Sequence, residues 1–313
     1  MAIAKLEDKR IDQYLTNFIR KEVEGQGCAD FIAPPFKVLR PSDKYLIYGK
    51  ENLRYYDNKI VGRAKAKEID VQATDGSYSC EEYETGFFVS DRAMRNIDGV
   101  AGIRLREQKA MNAAKSQARS REKRIWDIAG SASIVTQTVA LANAWDTASS
   151  GTPVQNILTA IKTINDSTGM RANSIVMSLK AALQVIATDE WQDYFKYTPE
   201  GFTNGLWDCI KGLRHLGLEP MISGMRSLST YEIGTSDPTA ELISGVGKVL
   251  VFVREPNPTT ESNCFMFSPY TEMNTVKAWR EESQRGEEGT IYEEIDELLV
   301  NAYAAYLMTG AIA

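Results

Sequence analysis

One histidine, His215, and four scattered cysteines, Cys28, Cys80, Cys209 and Cys264, are the side chains best suited to do chemistry. A nucleophile–histidine–acid enzyme would have to rest on His215 alone. That residue closes a predicted helix, where a cation suits the carbonyl end of the backbone dipole. No two cysteines stand at the spacing of a zinc ribbon or a redox dithiol, and their pattern suits a reducing compartment. Glu287-Glu288 and Glu293-Glu294 are adjacent carboxylates, but each pair sits in a charge-rich stretch. They read as solvated or salt-bridged surface rather than as a paired acid and base. Gly245-Val246-Gly247 has no following helix signal and reads as a turn. Gly49-Lys50 and Gly247-Lys248 lack the rest of a phosphate loop, and Ser223-Gly224 lacks the nucleophile elbow. Asn165-Asp166-Ser167 matches a glycosylation sequon with no other sign of secretion. The sequence therefore assigns no catalytic, metal or cofactor-binding residue, and an enzyme is not expected.

Charge is patterned more strongly than chemistry. Arg63, Lys65 and Lys67 alternate with Ala64 and Ala66, so an extended segment holds the three cations on one side. Between Arg104 and Arg124 there are eight cations, and Glu107 and Glu122 are the only acids. From Arg280 to Glu297 the balance reverses, with eight acids against Arg280 and Arg285. One basic and one acidic element in the same chain invite pairing between subunits or between domains. Exposed ion pairs contribute only about 0–1 kcal/mol each, so such pairing sets register more than affinity. The net charge of −6 disfavours a protein that grips nucleic acid through its phosphates. Hydrophobic content of 43% excludes a disordered chain, and no apolar run approaches the roughly 20 residues of a membrane helix. The first residues, MAIAKLEDKR, lack the layout of a secretory signal.

The elements that carry these charges follow from periodicity. Residues 1–24 read as an amphipathic helix, either an ordinary packed helix or an arm reaching a partner. Residues 28–60 look irregular. Residues 61–89 look extended, with Asp75-Gly76 as a turn and Tyr78–Val89 as the returning strand of a long hairpin. That hairpin has too little apolar surface to stand alone. Residues 98–128 read as one long helix whose Ala110, Ala113, Ala114 and Ala118 keep one side slim. Thr152-Pro153-Val154-Gln155 is a capping box opening a helix that Gly169 closes. Around it, 150–246 reads as an inserted α/β block, with strands at Ser174–Leu179 and Leu218–Ser223 and helices at Lys180–Ala187 and after Thr203. Val249–Val253 is apolar throughout, a strand buried on both faces, with Cys264–Phe267 as its expected hairpin partner. Tyr270–Trp279 alternates, and the small apolar stretch Leu298–Ala313 reads as a buried terminus.

The order of these parts carries a resemblance. IAPPFKVLRPSDKYLIYGKENLRYYDNK and EIDVQATDGSYSCEEYETGFFVSDRAMRNID resemble the extended loop and its return in the major capsid proteins of tailed bacteriophages, the Hong Kong 97-type fold. NILTAIKTINDSTGMRANSIVMSLKAALQVIATDEWQDYF resembles the axial domain of that family. VKAWREESQRGEEGTIYEEIDELLVNAYAAYLMTGAIA resembles its closing peripheral strands. The likeness spans nearly the whole chain and rests on the ordered set, since no single motif is diagnostic.

The resemblance implies an α+β, Hong Kong 97-like capsid fold. Its parts would be an N-terminal arm at 1–35, an extended β-hairpin loop with its approach strands at 36–90, and a spine helix with the first part of the peripheral domain at 91–150. An α/β axial domain would follow at 151–246, and the remaining peripheral strands and C-terminus at 247–313. It implies a structural subunit that self-assembles as hexamers and pentamers into an icosahedral head. The head would enclose double-stranded DNA without sequence-specific binding. Scaffolding, portal and decoration proteins are the implied partners, with no membrane and no cofactor. Assembly would take place in the host cytoplasm, and the product would be a virion. Some relatives carry an extra N-terminal scaffolding segment; here the arm begins at once, so the resemblance implies either a separate scaffold protein or prior removal of such a segment. Lys59, Lys65 and Lys67 hold the positions of a cross-linking lysine, but no partner asparagine or acid is identifiable. The alternative within the fold is an encapsulin-type bacterial nanocompartment that houses a cargo enzyme. Outside it, the alternative is a cytoplasmic α/β enzyme, for which no active site is found. On the physical reading, the candidate intersubunit contacts are Arg63, Lys65 and Lys67 against Glu287, Glu288, Glu293 and Glu294.

Overall fold

A computed structural model describes residues 10–23, 27–48, 50–55, 59, 65, 68, 71–97, 104–196, 205–228 and 240–312. The chain opens with β1 (Arg10–Ile11), α1 (Gln13–Val23), α2 (Ala29–Ile32), β2 (Pro35–Lys37) and β3 (Ser42–Tyr48). Next come β4 (Ala73–Ser79), β5 (Glu81–Ser90), α3 (Asp91–Ile97), α4 (Leu105–Ala129) and β6 (Gln137–Ala140). The middle holds α5 (Pro153–Thr168), β7 (Ser174–Ser178), α6 (Leu179–Ala187), α7 (Asp189–Phe195), α8 (Leu206–His215), β8 (Glu219–Ser223), β9 (Arg226–Ser227) and β10 (Glu241–Leu242). The chain closes with β11 (Val249–Phe252), β12 (Met266–Glu281), β13 (Gly286–Ile295), β14 (Leu298–Leu299) and β15 (Ala305–Thr309).

Two larger sheets share α4. One runs β6-β15-β11-β7-β8. Alternation along its strands sends Ile175, Met177, Val249, Val251 and Met308 to the core under α5–α8. The intervening Val176, Leu250, Phe252 and Leu307 meet Ile125, Trp126 and Ala129 at the end of α4. Both faces are thus buried, as the unbroken VLVFV run requires. The other sheet runs β1-β12-β13-β5, with β2 and β14 also on β12. Its inner face packs Phe87, Val89, Val276 and Ile291 on Ala110, Ala113 and Ala114 of α4 and on Leu15 and Ile19 of α1. The alanines let helix and sheet approach closely. With 25 residues, α4 spans about 38 Å and ties the two cores together.

Several sequence expectations need correction. The N-terminal helix is Gln13–Val23, and Leu15 and Ile19 are buried on the chain's own α4, so the packed-helix reading holds there. Residues 1–9 lie outside the described residues. The stretch 28–60 is not wholly irregular, because β3 pairs along its full length with β4. Asp75-Gly76 is therefore not a turn but the middle of a strand. Gly76 lies opposite Tyr45, and a Cβ there would fall 2.4 Å from the tyrosine ring. The expected returning strand breaks at Cys80, so β4 stays in the two-stranded ribbon while β5 joins the larger sheet. Tyr45 and Tyr78 pin the ribbon to Val38, Phe267 and Val300. Gly76→Ala is expected to cost about 1–3 kcal/mol by forcing Tyr45 off Phe267, read as a lower urea midpoint with unchanged slope.

The partner expected for Val249–Val253 is also wrong. β11 lies between β15 and β7, and Met266 and Phe267 open the long β12 of the other sheet. Thr152 does not cap α5 with its side chain. Glu190, at the start of α7, does so instead, accepting from the Val154 and Gln155 N–H groups at 2.8 and 3.2 Å. Gly169 closes α5 at φ +73° as expected. The C-terminal stretch is buried, with β15 an internal strand.

Candidate assembly surfaces

Three arginines on α4 organise the charge of the chain. Asp12 accepts from the Leu15 N–H at the start of α1 and also takes Arg106 Nη2 at 2.7 Å, while Arg106 Nε lies 2.9 Å from Glu287. Arg124 grips Glu297 through Nε and Nη2, at 3.1 and 2.7 Å, and its guanidinium lies 3.6 Å from the centre of the Tyr83 ring. Arg121, buried, donates to Asp30 at 2.5 Å and is drawn electrostatically by Glu293 and Glu297 as well. Glu122 beside it is fully buried. Its carboxylate accepts from the Cys28 and Ala29 N–H groups at 2.8 and 2.7 Å and from Trp126 Nε1 at 3.1 Å. α4 thus clasps the N-terminal segment on one side and β13 on the other.

The basic helix and the acidic segment therefore meet within one chain. Of the candidate contacts, Glu287 is engaged by Arg106, Glu293 is buried beside Arg121, and Glu294 accepts from Thr271 Oγ1. Glu288 is half-buried, between Phe88 and Trp279 in register. Lys65 is exposed, and Arg63 and Lys67 lie outside the described residues. The sequence reading missed Asp12, Asp30 and Glu122, because an acid among cations looks like a solvated helix face.

Burial raises the carboxyls of Glu122, Glu293 and Asp296 above the ordinary carboxylate range. A raised native value means that the folded state holds its proton longer than the unfolded one. The stabilisation is complete below the unfolded value and is lost as pH climbs through the folded one. Glu293→Gln lacks this loss. Its stability relative to the parent chain is expected to increase as pH rises from about 4 to 7, measured by urea midpoints across that range.

Nucleophiles are muted. Burial pushes Cys80 up to about 11, Cys209 and Cys264 up to about 12, and Cys28 higher still, so all four thiols remain protonated at neutral pH. All four are free of disulfides. Among the described residues no cluster of His, Cys, Asp or Glu could hold a metal ion, and no helix is long and apolar enough to cross a membrane.

Two sheets joined by one long helix, with an outlying ribbon, make a fold found in viral shells. The chain shares that fold with a phage-related protein from Bordetella bronchiseptica RB50, at TM-score 0.73 and 21% identity over 97% of this chain and 98% of the other. The cyanophage P-SCSP1u capsid structure matches at TM-score 0.53 and 8% identity, over 89% and 86% of the two chains. A virus-like particle from Pyrococcus furiosus matches at TM-score 0.53 and 12% identity, over 95% and 100%. No protein-family model matches the sequence, and no curated protein matches it.

Proposed function

We propose that this chain is the shell-forming subunit of a tailed-phage head, a structural protein that assembles as hexamers and pentamers around double-stranded DNA. The observation that carries this reading is the match of fold along nearly the full length of a phage-related protein, together with a phage capsid of the same fold. On this reading the β3–β4 ribbon would belong to the extended loop, α4 would be the spine helix, and α5–α8 with β7 and β8 would form the axial domain. The chain's own surface supports the reading. Leu39, Leu53, Tyr55 and Val71, around the ribbon, are 99, 61, 91 and 64% exposed. Such a concentration of bare apolar side chains marks a contact surface. A closed symmetric shell would cover them many times over. Scaffolding, portal and decoration proteins, and assembly in the host cytoplasm, belong to this proposal.

The alternative on the same fold is a compartment filled with protein. Particles purified after nuclease treatment test the two. Protected double-stranded DNA of uniform length supports the phage head, whereas shells holding a single cargo enzyme and no nucleic acid would replace it with the compartment.

A further inference from the structure

Of the eight cations between Arg104 and Arg124, five are already engaged. Arg104 meets Glu107, Arg106 holds Asp12 and Glu287, Arg121 holds Asp30 and Arg124 holds Glu297. Lys109 donates to the Phe88 carbonyl at 2.8 Å. Lys115, Arg119 and Lys123 remain, and among the described residues none of the three has an ion pair or a hydrogen bond. They stand four residues apart on successive turns, so about 12 Å of helix carries three cations on one side. Arg119 and Lys123 are exposed and Lys115 is half-buried. Their solvent-facing neighbours are Asn112, Ser116 and Ser120, with no large apolar side chain and no acid exposed along that stretch. The sheet on which α4 packs has the opposite character on its far face. Glu82 on β5, Glu294 on β13 and Glu272 on β12 lie in directly paired positions there, with Glu84 beside them. Lys277, 3.8 Å from Glu272, is the cation set against them. This layer of the chain is therefore basic on its helix side and acidic on the other.

We propose that Lys115, Arg119 and Lys123 form the surface that meets the phosphate backbone of the enclosed double-stranded DNA, without regard to base sequence. The inference rests on the shell reading and deepens it, because it sets which side of the wall faces inward. The stripe suits a polyanion better than a protein. A protein interface is anchored by buried aromatic or aliphatic side chains, and this face exposes none. Along one DNA strand about 12 Å is the rise of between three and four phosphates, so each cation finds one. Neutralising three phosphates releases their counterions, which makes the contact weak for one subunit, sensitive to salt and repeated over every copy in the shell. The net charge of −6 does not oppose it. The acids of the sheet lie beyond a helix about 10 Å across, farther than the roughly 8 Å screening length of physiological salt.

Fluorescence anisotropy of a short duplex of arbitrary sequence, titrated with the purified chain before assembly, tests this. Affinity is expected to fall about 40-fold between about 50 and 200 mM salt, the slope for three phosphates. The triple variant Lys115→Gln, Arg119→Gln and Lys123→Gln is expected to bind at least tenfold more weakly at the lower salt and to lose that slope. Its thermal midpoint and its yield of empty shells should match the parent's, because the stripe joins no two subunits. Each single change is expected to reduce the slope by about one, which reads the same contact should the triple variant misfold. A control with the same change in charge, Lys37→Gln, Lys162→Gln and Lys180→Gln, is expected to bind like the parent. Equal losses in control and triple variant, or no binding by the parent at low salt, would overturn the inference. Displacement of the duplex by polyglutamate at matched charge would overturn it in favour of an acidic protein segment. Loss of empty shells in the triple variant would overturn it in favour of a contact between subunits. All of these leave the shell reading intact. Failure of the parent to form particles under any condition would remove that reading, and the genome as occupant with it.

Discussion

Truncation after Ala304, which removes β15, is expected to leave the chain unable to fold. β15 is hydrogen-bonded on both sides, to β11 and to β6. It buries Tyr306, Leu307 and Met308, and Ala311 and Ile312 beyond it are buried too. Deleting a single large core side chain costs about 2–5 kcal/mol. Losing three, with both ladders, exceeds the roughly 5–15 kcal/mol that holds a domain together. Leu307→Ala is the graded version, expected to cost about 3 kcal/mol while leaving a foldable chain. Circular dichroism and urea unfolding read both. A truncated chain that unfolds cooperatively with a near-parental midpoint would mean that the five-stranded sheet does not depend on its C-terminal strand.

The second large effect is expected at Glu122. Glu122→Ala leaves the Cys28 and Ala29 N–H groups and the Trp126 indole N–H without an acceptor, the first two where α2 meets α4. An unsatisfied buried donor costs about 1–3 kcal/mol, so the change is expected to cost about 3–5 kcal/mol in all. Glu122→Gln keeps one oxygen acceptor and is expected to cost about half as much. Hydrogen exchange should localise the damage. Amides of 28–33 are expected to lose protection, while those of α5 and α6, which pack in the core on the other face of the five-stranded sheet, keep theirs. Uniform loss across the chain would show that Glu122 is not a local clasp.

Much of this architecture is legible in the amino-acid order, and the gaps have physical causes. Pro153 and Gly169 bracket α5 because each has a backbone property that its position demands. The apolar run Val249–Val253 announces burial on both faces, yet it says nothing about which strands lie alongside: these are β15 and β7, not the nearby Cys264–Phe267. Asp75-Gly76 has the composition of a turn. It is read correctly only once Tyr45 is known to cross the glycine. Glu190 caps α5 from a different helix, 36 residues away from Val154, so no local box could reveal it. The same limit applies to the charges. Composition shows that a basic helix and an acidic segment exist, but strand register decides which acids α4 consumes and which remain in a row on the outer face. Glu287 and Glu293 fall on the consumed side, and Glu294 on the outer one.

As a shell subunit, the chain would finish its packing against copies of itself. Analytical ultracentrifugation of the purified chain with negative-stain microscopy of the same samples, alone and with a co-expressed scaffold, tests this most directly. Closed particles of uniform diameter built from a single polypeptide are the expected result. A species that stays monomeric or dimeric across concentration, salt and scaffold, with Leu39, Tyr55 and Val71 still open to solvent, would contradict it.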